Sequence, residues 1–196
     1  MKRGAVPVAD QSIHSTAEAL ADGFHDDEIW TWLLPRRWPL RRVLPRYYEA
    51  MIRRVFAQRE AAWTTTDGAG GALWFPPGTA ELNLGEQLRT GLTLLPEGAG
   101  SLRKGARWER LIHDNLPREP HWRLNSLAVR TSAQRQGIGS ALIEPGLRRA
   151  EVDGVACYLE TQRRANIPFY RRFGFEEIGE ISLPGSPPAW RMLRPA

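Results

Sequence analysis

From residue 40 to residue 56, apolar side chains fall at 40, 43, 44, 47, 48, 51, 52, 55 and 56, the spacing of one buried helix face. Arg41, Arg42, Arg46, Arg53 and Arg54 all lie off that stripe and read as a solvated face. Pro39 or Pro45 belongs in the first turn, where a missing N–H costs little. Upstream, residues 12–24 (SIHSTAEALADGF) suit a first helix. The period then shortens. Residues 61–66 (AAWTTT) and 71–76 (GALWFP) read as a hairpin across Asp67, Gly68, Ala69 and Gly70. Residues 80–116 suit two short helices split at PEGAGS. That segment is long for a plain strand connection, so it is expected to form a lid or one wall of a pocket. Strand 122–129, helix 137–153, strand 155–161, helix 166–173 and strand 175–182 follow, with a last strand near 189–193 after the turn LPGSPP.

Strand and helix alternate only in the second half, which predicts a mixed α+β class with a partly parallel sheet. The β-α-β unit from 122 to 161 predicts a right-handed crossover. The 196 residues suit one domain, 1–196. No run of about 18 apolar residues occurs, so no membrane span is expected. Met1, Lys2 and Arg3 are followed by no apolar signal region, which predicts a cytoplasmic protein. The single cysteine, Cys157, lies in the buried-strand pattern VACYLE and reads as a packed thiol. The net charge is +5, and Lys2 and Lys104 are the only lysines. A basic balance suits nucleic acid or a phosphorylated small molecule. The densest basic stretch is the solvated helix face at 41–54, which argues against nucleic acid.

The stretch QRQGIGSA, residues 134–141, stands between strand 122–129 and helix 137–153. The first turn of a helix has N–H groups without intrahelical partners and is the positive end of its dipole. Glycines there let an anion approach closely. The spacing, Gln134-x-x-Gly137-x-Gly139, lacks the Gly-Lys-Ser/Thr of a P-loop. Leu142 stands where a dinucleotide fingerprint needs its third glycine. A plain tight turn also accounts for the glycines taken alone. Downstream, in LETQRRANIPFYRRFGF, Asn166 and Tyr170 are four residues apart and share one face of a short helix that Gly174 is placed to end.

These two motifs together resemble the GCN5-related N-acetyltransferase (GNAT) family, and within it the puromycin N-acetyltransferase-like members. The resemblance rests on REPHWRLNSLAV, QRQGIGSALIEPGL, GVACYLET, NIPFYRRFGF and PAWRM, and extends more weakly through ALADGF and ALWFPP. It implies a GNAT fold, a central mixed sheet of six to seven strands flanked by helices, with acetyl-CoA as acyl donor. The short GAVPVAD segment holds Pro7 and is a poor candidate for a first strand.

The resemblance also implies roles. The main chain of Leu127, Ala128 and Val129 would bond the pantetheine arm. The N–H groups of Gln134, Arg135, Gln136, Gly137, Ile138, Gly139 and Ser140 would wrap the pyrophosphate. Asn166 would meet the pantetheine with Phe169 beside it, Tyr170 would stand near the thioester sulfur, and Arg172 near the outer phosphates or in solvent. A neutral phenol suits protonation of the leaving thiolate. The strand WRLNSLAV carries no acid, so Glu160, at the end of the next strand, is the candidate base; its bland alternative is a structural carboxylate. His113 and His121 are expected on the surface.

Asp26, Asp27 and Glu28 beside Trp30 and Trp32 suit a cationic, partly apolar amine, or else cap a helix and fill the core. The expected partner is a small-molecule primary amine, with no nucleic acid, membrane or metal, in a monomer or homodimer. The rivals are a protein or peptide N-acetyltransferase and a non-catalytic acyl-CoA-binding domain.

Overall fold

The segment His121–Val129 (β4) is buried along nearly its whole length, as a strand covered on both faces must be. A computed structural model describes residues 4–34, 39–79, 86 and 99–196, and puts this strand at the middle of a seven-stranded sheet. The other strands are Ala5–Pro7 (β1), Ala62–Thr65 (β2), Gly70–Phe75 (β3), Ala156–Thr161 (β5), Glu176–Ile181 (β6) and Ala189–Arg194 (β7). Their order is β1-β2-β3-β4-β5-β7-β6. Only β4 and β5 run parallel among the described pairs; the rest are antiparallel. This is the α+β GNAT fold.

The helices are Ile13–Gly23 (α1), Glu28–Leu33 (α2), Leu40–Met51 (α3), Ala99–Asp114 (α4), Ile138–Asp153 (α5) and Ile167–Arg171 (α6). Helix α5 lays Leu142, Ile143 and Leu147 on one face of the sheet, against Trp74, Leu124 and Leu159. Helices α1 and α3 cover the other face, where Leu20, Leu44 and Tyr48 meet Leu73 and Phe75. A third cluster joins α2 and α4 to the β6–β7 edge through Ile29, Trp108, Ile112, Ile181 and Ala189.

The expected stripe holds. Arg41, Arg42, Arg46, Arg53 and Arg54 are all exposed, while Leu44, Met51, Ile52, Val55 and Phe56 are fully buried. The helix starts after Pro39, which is the N-cap, so Pro45 lies inside it, and a π-helical turn closes it at Ile52–Phe56. The first strand does form: Pro7 sits at its end, opposite Trp63, and β1 is the sheet edge, where a missing donor is tolerated. Of the two helices expected over 80–116, the second is α4; the first lies outside the described residues apart from Glu86. Cys157 is buried and its thiol is pushed up to about 11 by burial.

Candidate active site

Strands β4 and β5 pair only from His121 opposite Ala156 to Leu124 opposite Leu159. Beyond that point β4 runs five residues further, to Val129, and the parallel pair parts. Two cavities open there. The larger, about 570 Å³, is lined by Leu127, Ala128, Val129, the 133–140 loop and the Asn166–Arg172 helix. The smaller, about 50 Å³, lies inside the splay, lined by Leu124, Asn125, Leu159, Glu160 and Thr161. Phe24, Asp27, Leu127, Arg163, Asn166 and Tyr170 line both, so the two cavities meet at those six side chains.

The loop is shaped by two left-handed residues, Arg135 (φ 62°) and Gly137 (φ 80°), the second acting as N-cap of α5. The first intrahelical bond comes from Ala141 N–H to the Gly137 carbonyl at 3.2 Å. The N–H groups of Ile138, Gly139 and Ser140 therefore have no intrahelical partners, and all three residues line the larger cavity. A Cβ on Gly137 would meet nothing within 4 Å, and one on Gly139 would stand 3.6 Å from the Phe169 ring, so both positions border open space. An exposed, donor-rich cradle of this kind fits a pyrophosphate. The Gln134 side chain is already engaged: its Nε2 donates to the Val129 carbonyl at 3.1 Å and fixes the strand end. Asp22 pins the other side, accepting from the Thr131 N–H at 2.7 Å and from its hydroxyl. Gln136 is exposed and is the one residue of the expected run that does not line the cavity.

Gly174 ends α6 in the left-handed region, φ 82°, and Phe175 N–H returns to the Tyr170 carbonyl at 3.3 Å. That short helix presents Asn166 and Tyr170 to both cavities. Phe169 stacks edge-on against Tyr170, with ring centroids 5.2 Å apart, and carries the Arg172 guanidinium at 5.2 Å. Tyr170 is 8% exposed, and burial alone holds its hydroxyl well above the usual phenol range.

On the acceptor side the structure separates the expected residues. Glu160 accepts from Arg123 Nε at 3.2 Å, with both side chains about 95% buried, and its Oε1 is buried without a partner. It lines the smaller cavity as a paired carboxylate. Asp27 is 6% exposed and caps α2, its Oδ1 accepting from the N–H groups of Ile29 at 3.0 Å and Trp30 at 3.2 Å. Asp26 is exposed and bridges to Arg163 Nη2 at 2.5 Å. Glu28 is exposed too, and neither it nor Asp26 lines either cavity.

Trp30 packs edge-on against Tyr47 and Tyr48, and Trp32 against Trp108; neither lines a cavity. His121 is buried, not on the surface: its ring meets Tyr158, and Nδ1 lies 2.8 Å from the Glu119 carbonyl. Phe24, Asn125 and Arg163 line the site although no motif marks them. No described residue of the 80–116 segment lines either cavity, so the expected lid or wall is not seen; α4 is tied instead to α2, by Lys104 Nζ donating to the Trp32 carbonyl at 2.9 Å. Its C-terminal end is tied to β7 by Arg191 donating to the Asn115 carbonyl at 2.7 Å.

Residues 99–177 match the model of the acetyltransferase (GNAT) domain. The chain is 27% identical over 172 residues to an uncharacterized N-acetyltransferase of Schizosaccharomyces pombe, covering 81% of this chain and 68% of that protein. Among solved structures it is similar to a histone acetyltransferase HPA2 and related acetyltransferase from Corynebacterium glutamicum. That match has 24% identity and TM-score 0.71, covering 100% of this chain and 98% of the other. It is also similar to arylalkylamine N-acetyltransferase 2 from Aedes aegypti, with 14% identity, TM-score 0.64 and 97% of both chains covered. The matched segment holds the splay, the loop and the Asn166–Tyr170 helix. Residues 99–177 thus match a GNAT domain, and the protein is an acetyl-CoA-dependent acetyltransferase.

Proposed function

We propose that the protein acetylates a primary amine of a small molecule by direct attack of the amine on the thioester. The observation that carries this is the junction of a large, donor-lined cavity with a small polar one at Asp27, Asn166 and Tyr170. The Leu127–Val129 main chain, left unpaired on the β5 side, suits hydrogen bonds to the pantetheine amides, as an added strand would make. The N–H groups of residues 134–140 suit the pyrophosphate, and Arg172 the outer phosphates. When bound, acetyl-CoA supplies the acetyl thioester. The chain's residues then do three things. They orient the amine, they accept its proton, and Tyr170 gives a proton to the departing sulfur. Tyr170 keeps that proton at working pH because burial raises its pKa.

The smaller cavity, at about 50 Å³, suits an amino group and its first carbons, with the rest of the acceptor lying outside. The carboxylate of Asp27 and the Phe24 ring beside it favour a cation with apolar bulk. This agrees with the resemblance to the puromycin N-acetyltransferase-like members. A panel of primary amines, run with acetyl-CoA and a thiol-release readout, tests the reading. Turnover of arylalkyl or aminonucleoside amines is expected. A protein that ignores every small amine and acetylates a histone or ribosomal peptide overturns it.

A further inference from the structure

We infer that Asp27, in the turn between α1 and α2, is the proton acceptor of the reaction and the anchor of the cationic amine. The inference rests on the acetyl-transfer reading and concerns the group that reading leaves unassigned. Four observations carry it. Asp27 lines both cavities together with Tyr170, so it stands where amine and thioester must meet. Both cap bonds fall on Oδ1, which leaves Oδ2 without a hydrogen bond among the described residues. Glu160, by contrast, has Oε1 buried and Oε2 held by Arg123. Finally, burial raises the Asp27 carboxyl above its ordinary value, which makes it a stronger base than a surface aspartate.

The charged groups around Asp27 act in both directions. Arg163 lowers its pKa, but that guanidinium is shared with Asp26. Glu28 raises it. The Tyr48 hydroxyl also feels Asp27 and stays protonated, because burial holds it well above the phenol range. Tyr170 faces the same cavities as a neutral donor. The sum is a carboxyl held above its ordinary value, chiefly by burial, and so a stronger base than a surface aspartate.

The step balances as follows. A cationic amine is drawn to Oδ2 and passes its first proton to it, and that proton leaves to solvent. The neutral nitrogen forms the new C–N bond with the acetyl carbonyl carbon. The C–S bond breaks, and the Tyr170 hydroxyl gives its proton to the departing sulfur. The nitrogen's second proton then returns to the Tyr170 oxygen through solvent. One ammonium and one thioester become one amide, one thiol and one solvent proton.

Asp27→Asn is the test, because asparagine keeps the capping oxygen and α2 should fold. The probe is phenethylamine. We expect kcat to fall about 10²-fold at pH 7 and to recover as pH rises toward the amine's own pKa. In calorimetry on the protein with CoA, phenethylammonium should bind about tenfold more weakly to the variant. The stabilisation by acetyl-CoA should be unchanged. In Asp27→Ser, which also caps, added formate should restore part of the rate. An Asp27→Asn protein with full kcat and full phenethylammonium affinity overturns the assignment. So does a pH-rescued loss in Glu160→Gln that Asp27→Asn lacks. If the wild type releases thiol with no amine, the small-amine reading fails. Calorimetry then decides on Asp27 alone, and equal affinity in the two proteins overturns its anchoring role.

Discussion

Tyr170 meets no charged neighbour that shifts its hydroxyl; burial is the whole cause. It is therefore a neutral donor, not a tuned base, and Tyr170→Phe should lower kcat about 10²-fold while acetyl-CoA affinity holds. Full kcat in that variant would leave Tyr170 as a packing residue against Phe169. Gly139 bears on the cofactor. A Cβ there has only ordinary contact with Phe169, so Gly139→Val should fold, project into the cavity and lose the thermal stabilisation by acetyl-CoA. Gly137 is a poorer probe, because its φ of 80° strains any side chain. Asp27 has a stability signature of its own. Its folded pKa is raised above 3.8, so the fold loses stability as pH climbs from that value through the folded pKa. Asp27→Asn should flatten that slope in thermal melts taken from about pH 4 upward. The motif residues were legible because turn chemistry and helix spacing are local. Arg123 was not, because its partner Glu160 is 37 residues away and meets it only through the β4–β5 pairing.

At the scale of elements, the pair Arg123–Glu160 crosses those two strands just where they stop pairing, and holds the mouth of the splay. Glu160→Gln should therefore cost about 1–3 kcal/mol, because it removes the carboxylate charge from a buried guanidinium that Glu109 and the Phe75 ring also face, and the rate should track that loss without pH rescue. Helix α5 approaches the sheet unusually closely at Gly146, where an added Cβ would stand 2.2 Å from the Trp74 ring. Trp74 is fully buried and cannot swing aside. Gly146→Ala should cost about 1–3 kcal/mol in urea unfolding. The alternation from residue 121 onward made these elements readable, since period 2 and period 3.6 are plain in long segments. The strand order was not readable. β7 inserts between β5 and β6, leaving β6 at the edge, and no local signal fixes which of two late strands pairs inward. The charges on β6, Glu176, Glu177 and Glu180, do suit an edge.

For the whole molecule, the larger cavity draws its lining from α1, β4, the loop, α5 and α6, elements that belong to both sides of the sheet. A ligand there ties the two hydrophobic layers together, so it should stabilise the entire fold and not one segment. The net charge of +5 does not compete with that. The exposed arginines of α3 and of the π-helical turn after it are partly neutralised, Arg41 by Asp22 at 3.7 Å and Arg53 by Glu49 at 3.3 Å. Exposed pairs of this kind are weak and screened by salt, as any contact they made with a polyanion would be. Acetyl-CoA at 100 times its Kd should add about 2.7 kcal/mol to the folded state, read as a single cooperative rise in Tm. A DNA duplex at 0.15 M salt should add nothing measurable. A rise with DNA that matches the one with acetyl-CoA would mean that the basic face, not the splay, is the binding surface.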